Sequence, residues 1–290
     1  MTLAPFEYTA PADLAGALEA LARPGAVAMA GGHHLLTRLK RREQVVGTVV
    51  DLRDVAELRG VERGPLGTVR IGAGTTLTDL LAEHLLDPPD LTGSSRDLRH
   101  ALGEALAGTG DRQSRNRVTL GGQLASGRPG NDVATALVAH AARATLAGPD
   151  GTRTLPVRDL WTAGGAWAPA RTELIVSVEI DPDAVGSAHA RWADRATLEA
   201  ICAVSVVLCR RDDGALTCRA AAAGLVARPV LITTGEEPVP EAGAPAWNLD
   251  VAPGTALDDY LASADYRRFM VQVLAGRALT AAVRRAGGAG

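Results

Sequence analysis

The feature that most constrains this chain is a short apolar run, a glycine pair and a helix-period run that follow one another within the first fifty residues. Ala26-Val27-Ala28-Met29 reads as a short buried strand, and Gly31-Gly32 turns the chain. Leu35, Leu36 and Leu39 then recur at helical spacing, and Thr48-Val49-Val50-Asp51-Leu52 is a second strand. The result is a β-loop-α-β unit with its glycines at the strand-to-helix corner. Upstream, Thr9 and Pro11 are expected to open a helix with Leu14, Leu18 and Leu21 on one face, ended by Pro24-Gly25.

The remaining pattern divides the chain into three regions, 1–57, 58–178 and 179–290. In the second, Thr68 to Ile71 reads as a strand, Leu77 to Leu86 and Leu98 to Leu106 as helices, and Val118 to Leu124 as an extended segment. Asp132 stands where a helix N-cap belongs, ahead of Val133, Ala136 and Leu137. Ala142 to Leu146 and Thr152 to Val157 flank Pro149-Asp150-Gly151 as a hairpin, and Leu174 to Ile180 is a further strand. The third region starts near Asp181-Pro182. It holds a hairpin around Asp212-Asp213-Gly214, a Pro/Gly-rich loop from about Gly235 to Gly254, and a terminal helix capped by Ser263.

Composition removes several function classes. With 47% hydrophobic residues in 290, a core forms without disulfides. The net charge of -3, with no Lys/Arg stripe, gives no basic face for nucleic acid. No apolar run approaches the ~18 residues of a membrane span. The first residues do not read as a signal peptide, so a cytoplasmic location is expected. The three cysteines, Cys202, Cys209 and Cys218, have no Cys-x-x-Cys pair. Their number and spacing suit neither a zinc site nor a four-cysteine iron–sulfur cluster, and no metal ligands are expected.

Two constellations carry chemistry. In Ala30-Gly31-Gly32-His33-His34-Leu35, glycines permit close backbone approach and the following helix start offers unpaired N–H groups to a phosphate. A tight turn without ligand is the plainer reading of this pair. In Thr119-Leu120-Gly121-Gly122-Gln123-Leu124-Ala125-Ser126, followed by Pro129-Gly130-Asn131-Asp132, hydroxyls, glycines and an amide suit the other side of a diphosphate. Asp132 suits a ribose hydroxyl, a role compatible with capping a helix. The usual competitors are missing: no G-x-G-x-x-G follows a strand, and there is no Walker A motif and no G-x-S-x-G.

With their flanks, these residues resemble the FAD-binding (medium) subunits of the molybdenum hydroxylases, in particular the carbon monoxide dehydrogenase medium subunit and xanthine dehydrogenase FAD-binding family. The likeness runs through Ala30-Gly31-Gly32-His33, Lys40-Arg41, Asp51-Leu52 and Glu57 to Val61. It continues through Gln113, Arg115-Asn116-Arg117, Thr119, Gly121-Gly122 and Pro129 to Asp132, and ends at Ala264 to Arg267. It implies an α+β protein of the vanillyl-alcohol-oxidase/PCMH-like FAD-binding fold, with two α/β subdomains and a C-terminal α+β domain. FAD is the implied cofactor. Ala30, Gly31, Gly32, His33, His34 and Leu35 are expected to meet its diphosphate from one side. Thr119, Gly121, Gly122, Gln123 and Ser126 are expected on the other, with Asp132 on the adenosine ribose.

The implied role is an FAD-dependent oxidoreductase subunit that passes electrons from an iron–sulfur partner, itself served by a molybdenum subunit, to an external acceptor. A stand-alone flavoenzyme acting on a small molecule, and a scaffold that has lost flavin, are the rival readings. Three positions depart from the family pattern: Val118 for a usual glycine, Arg128 for a usual aspartate, and Gly165 about where a tyrosine stands near the flavin ring, with Trp167 two residues on.

Overall fold

The computed structural model describes residues 3–64, 67–82, 99–181, 184–211, 213–233, 239, 247–252 and 254–287. Pro182, Asp212, most of the Gly235 to Gly254 loop, Leu98 and the last part of the Leu77 to Leu86 helix therefore lie outside the described residues.

The first sheet is parallel, in the order β1 (Glu7–Thr9), β3 (Thr48–Asp51), β2 (Ala26–Met29). Helix α1 (Leu14–Leu21) begins after Asp13, whose carboxylate accepts from the Gly16 N–H. Thr9 and Pro11 therefore do not open this helix; Thr9 closes a strand that the sequence reading missed. Helix α2 (His33–Lys40) follows the glycine pair as expected. Parallel neighbours need a crossover, and α2 supplies the one between β2 and β3.

The second sheet has the order β4 (Val61–Arg63), β5 (Val69–Gly72), β8 (Leu174–Ile180), β6 (Arg143–Gly148), β7 (Gly151–Pro156). Between β5 and β6 run α3 (Leu77–Ala82), a wide turn at Arg99–Gly103, α4 (Glu104–Gly108), α5 (Arg112–Arg115), α6 (Leu120–Ala125) and α7 (Asp132–Ala139).

The stretch from Val118 to Leu124 is not extended: Thr119 accepts from the Gly122 N–H through its hydroxyl and starts α6. The cap of α7 is Asn131, not Asp132, because the Asn131 side chain accepts from the Ala134 N–H and leaves Asp132 as the first helical residue.

The third sheet is antiparallel, in the order β12 (Val230–Leu231), β11 (Leu216–Ala223), β10 (Cys202–Arg210), β9 (Ala184–Trp192). The hairpin of β10 and β11 was legible in the sequence; β9, its other neighbour, was not. Strand β10 is almost continuously apolar because both of its faces are covered. Val204, Val206 and Leu208 join the core under the terminal helix α8 (Ala264–Gly287), while Val207 joins the core around α7. Every residue of α7 is buried, so this helix links the second sheet to the third.

Arg267 locks α8 onto the third sheet. It is 3% exposed, and its guanidinium donates to the carbonyls of Ala262, Ile201 and Gly224 and to the Asp259 carboxylate. An apolar residue here takes the guanidinium donor from the Ile201 and Gly224 carbonyls, while Ala262 still accepts from the Asp259 N–H. Arg267→Met is expected to lower stability by about 3–5 kcal/mol, measured by denaturant unfolding; a loss under 1 kcal/mol would show that water replaces the guanidinium.

Candidate functional site

The two glycine motifs meet. Gly32 has φ +74°, a left-handed conformation that L side chains rarely adopt, and precedes α2 without any side-chain cap. The first N–H groups of α2, on His33, His34 and Leu35, therefore have no partner within the helix and point out at its positive end. Gly31 lies so close to the second motif that a Cβ would sit 1.6 Å from the Arg117 carbonyl oxygen. In return the Arg117 guanidinium donates to the Gly31 carbonyl, from Nε at 3.3 Å and Nη2 at 3.2 Å.

The second motif is wedged against the segment after β5. Leu77 N–H donates to the Val118 carbonyl, Leu120 N–H to Thr75, and Gly121 N–H to Ala73. A Cβ on Gly121 would lie 2.8 Å from that of Ala73, and one on Gly72 would lie 2.5 Å from the Leu58 carbonyl. Gly72-Ala73-Gly74 is thus the packing corner on which the second motif rests. Val118 is buried in the core without a positive φ, which is why no glycine is needed there.

Between the motifs lies a cleft of about 240 Å³ lined by Ala30, Gly31, Leu52, Arg53, Arg59, Gly74, Thr76, Asn116, Arg117 and Thr119. Of the expected cofactor-binding residues, Ala30, Gly31 and Thr119 line it, and Leu52, Asn116 and Arg117, named in the resemblance, line it as well. Arg53, Arg59, Gly74 and Thr76 were missed as site residues; Arg59 stood in the resemblance but without a role. Arg53 is held by Asp51, which is fully buried at the end of β3 and also accepts from the Tyr8 hydroxyl at 2.7 Å. Arg59 in turn donates to the Arg53 carbonyl. Arg53, Arg59 and Arg117, beside the glycine corner that leads into α2, make a cradle for a diphosphate. The residues present therefore fit the phosphate-bearing part of a dinucleotide cofactor.

Other expected residues take supporting positions. The Gln123 amide donates to Asn131 Oδ1, Asn131 Nδ2 donates back to the Gln123 carbonyl, and the Ser126 hydroxyl donates to the same carbonyl at 2.7 Å. Half-buried His34 is pushed down to about 4 by burial, then by the nearby Arg128 and His33 charges, so it is neutral at pH 7. Asp132 is not part of the cleft lining; its carboxylate is bound by His189 and Arg191 of β9. Among the described residues no three His, Cys, Asp or Glu side chains cluster as a metal site, and no helix is long and apolar enough to cross a membrane.

The loop after β7 is shaped by its tryptophans. Trp161 and Trp167 pair across a two-strand bridge with rings 6.5 Å apart, edge to face, and both pack on the core. Gly165 turns the loop at φ +80° against Ala227, whose carbonyl would lie 2.7 Å from an added Cβ. A tyrosine does not fit at this position, and the Trp167 ring is engaged in packing.

The cleft suits the diphosphate of a nucleotide cofactor, and comparison with known proteins gives the family. The chain belongs to the family described as the FAD binding domain in molybdopterin dehydrogenase, which matches residues 4–182. It is 28% identical over 294 residues to the xanthine dehydrogenase FAD-binding subunit of Escherichia coli O157:H7, covering 97% of each chain. It is 34% identical over 191 residues to the carbon monoxide dehydrogenase medium chain of Hydrogenophaga pseudoflava, covering 65% of this chain and 62% of that one. A solved structure of carbon monoxide dehydrogenase from Hydrogenophaga pseudoflava, lacking the Mo-pyranopterin moiety of its cofactor, superimposes with a TM-score of 0.83 at 26% identity, over 98% of this chain and 99% of that one. The fold is accordingly the PCMH-like FAD-binding fold, FAD is the cofactor, and the chain is an FAD-dependent oxidoreductase component.

The Gly31 contact gives a graded test. Gly31→Ala drives a methyl into backbone and is expected to cost about 2 kcal/mol or more and to abolish FAD binding. Gly214→Ala, at φ +83° with nothing within 4 Å, should cost about 1–2 kcal/mol and leave FAD binding intact. Melting curves and FAD titrations check both; equal flavin affinity in the two variants would show that the motif contact is dispensable.

Proposed function

We propose that this chain is the flavin subunit of a molybdenum hydroxylase-type dehydrogenase, receiving electrons from an iron–sulfur partner and handing them to an external acceptor. The observation that carries this reading is the cleft between the two glycine motifs, where Ala30, Gly31 and Thr119 lie among Arg53, Arg59 and Arg117. Relatives of matching length support it, since the xanthine dehydrogenase FAD-binding subunit spans the same extent. Cys202, Cys209 and Cys218 also lie along β10 and β11 as separate thiols, two of them buried in the core. A relay of four-cysteine clusters would then have to come from another chain.

Bound FAD supplies the two-electron redox chemistry. The chain's own residues bind and orient it. In this reading, the N–H groups of His33, His34 and Leu35 and the backbone around Ala30, Gly31 and Gly32 take one side of the diphosphate. Thr119 stands on the opposite side, Gly121, Gly122, Gln123 and Ser126 build and brace the α6 segment that carries it, and Asp132 serves the ribose. Arg53 and Arg59 offset the phosphate charge, so binding weakens with added salt.

A second reading, a stand-alone flavoenzyme acting on a small molecule, is favoured by the Gly165 turn. The resemblance to the carbon monoxide dehydrogenase medium subunit leads one to expect a tyrosine about here, and this loop has no room for one.

No histidine or cysteine stands in a recognisable flavin-linkage context, so the cofactor is expected to be held without a covalent bond. Denaturation and filtration should release all yellow colour from the polypeptide; colour retained on the chain would contradict this. Turnover separates the two functional readings. The isolated, FAD-loaded chain should give no sustained oxidation of organic substrates with oxygen, whereas robust turnover without added subunits would install the stand-alone enzyme.

A further inference from the structure

The third region contacts the end of the second motif through β9 and the connection between β9 and β10. Asp132 opens α7, and its side chain is 4% exposed. His189 Nε2 lies 3.1 Å from Oδ1, and Arg191 Nε lies 3.2 Å from both oxygens. The His189 ring, 1% exposed, has its Nδ1 2.8 Å from the Ser205 hydroxyl. An ionised carboxylate only accepts, so Nε2 carries a proton and donates to it. These contacts fix the Asp132 rotamer, while Oδ2, with the single arginine contact, keeps a lone pair for another donor.

The same arginine organises the loop behind it. Arg191 Nη1 donates to the Ala196 carbonyl at 3.0 Å and Nη2 to that of Leu198, and Ile201 N–H closes the loop on the Trp192 carbonyl at 2.8 Å. This loop carries Glu199. Its Oε1 accepts from the Gly130 N–H at 3.0 Å, and its Oε2 accepts from Arg128 Nη1 at 2.7 Å. Gly130 has no room for a side chain, since a Cβ would sit 1.9 Å from the Ala200 carbonyl oxygen. Pro129 accepts from the Gly224 N–H. Residues 128–130, which join α6 to the cap of α7, are therefore held entirely from the third region.

We propose that His189, Arg191 and Glu199 are positioning residues for FAD. They hold Asp132 and the Arg128–Gly130 loop in the arrangement that takes the adenosine half of the cofactor. This rests on the reading of Asp132 as the ribose acceptor and deepens it. The C-terminal sheet becomes part of the cofactor site, and Arg128, which departs from the family pattern, is explained by its partner Glu199.

The test uses the full chain stripped of flavin, titrated calorimetrically with FAD and with ADP, the adenosine diphosphate half alone. Loss of one charged hydrogen-bond partner should weaken both ligands about tenfold or more in Arg191→Gln and in Glu199→Ala. The FAD-free melting temperature of each variant should stay within about 3 °C of wild type. Glu199→Gln keeps an oxygen for the Gly130 N–H and should recover most of the affinity. Affinities within about twofold of wild type, or losses no larger than the fall in melting temperature explains, overturn the proposal. If Arg191→Gln does not fold, Glu199→Ala and its rescue decide by the same titrations. Wild-type protein that binds neither FAD nor ADP would instead remove the site reading itself.

Discussion

Helix α7 has no exposed face, and the arrangement of the molecule depends on that constraint. Its eight residues are covered on one side by the second sheet and its helices and on the other by β10 and β11 of the third. A helix of Val, Ala, Leu and Thr tolerates this, because an apolar residue gains wherever it is buried. Its first residue does not. Asp132 is a buried carboxylate, and such a charge persists only when paired and hydrogen-bonded. The His189 and Arg191 side chains meet that requirement and thereby fix where β9 crosses the start of α7.

The first sheet is attached by a different device. Its glycine corner contacts the second region backbone to backbone, with Gly31 against the Arg117 carbonyl and the Arg117 guanidinium on the Gly31 carbonyl. No side chain fits between the two chains, so the spacing of the two helix starts is set by main-chain atoms. That spacing creates the cleft, and the arginines at its rim set its charge. Asp51, buried at the end of β3, anchors Arg53 there. A site assembled this way varies little with surface substitution. It depends strongly on a few glycines and on one buried carboxylate.

Much of the local structure was legible in the sequence. The strand at Ala26 to Met29, the helix through Leu35, Leu36 and Leu39, the hairpin of β6 and β7 and the hairpin of β10 and β11 all followed from period and turn chemistry. Three elements did not. The Val118 to Leu124 stretch has β-branched and glycine residues that weaken a helix, yet the Thr119 cap and contacts to Ala73 and Thr75 decide the matter. Strand β9, Ala-Val-Gly-Ser-Ala-His-Ala-Arg-Trp, lacks a clear apolar alternation because its His and Arg serve α7 rather than solvent. Asn131 and Asp132 are both competent caps; in the fold Asn131 accepts from the Ala134 N–H, while Asp132 is paired with His189 and Arg191.

The sequence by itself determined the family likeness, the cofactor and the two glycine motifs, because each depends on residues close together in the chain. Glycine conformation, helix starts and hydrophobic period are local properties. The tertiary structure alone decided that Gly31 abuts Arg117, that Arg53 and Arg59 reach the same cleft, and that His189, Arg191 and Glu199 attend the second motif from some sixty to seventy residues away. Those facts concern which surfaces meet: the first two rest on the glycine contact and the Asp51 anchor, the last on the burial of α7 and the pairing of its charge. No spacing in the chain encodes them.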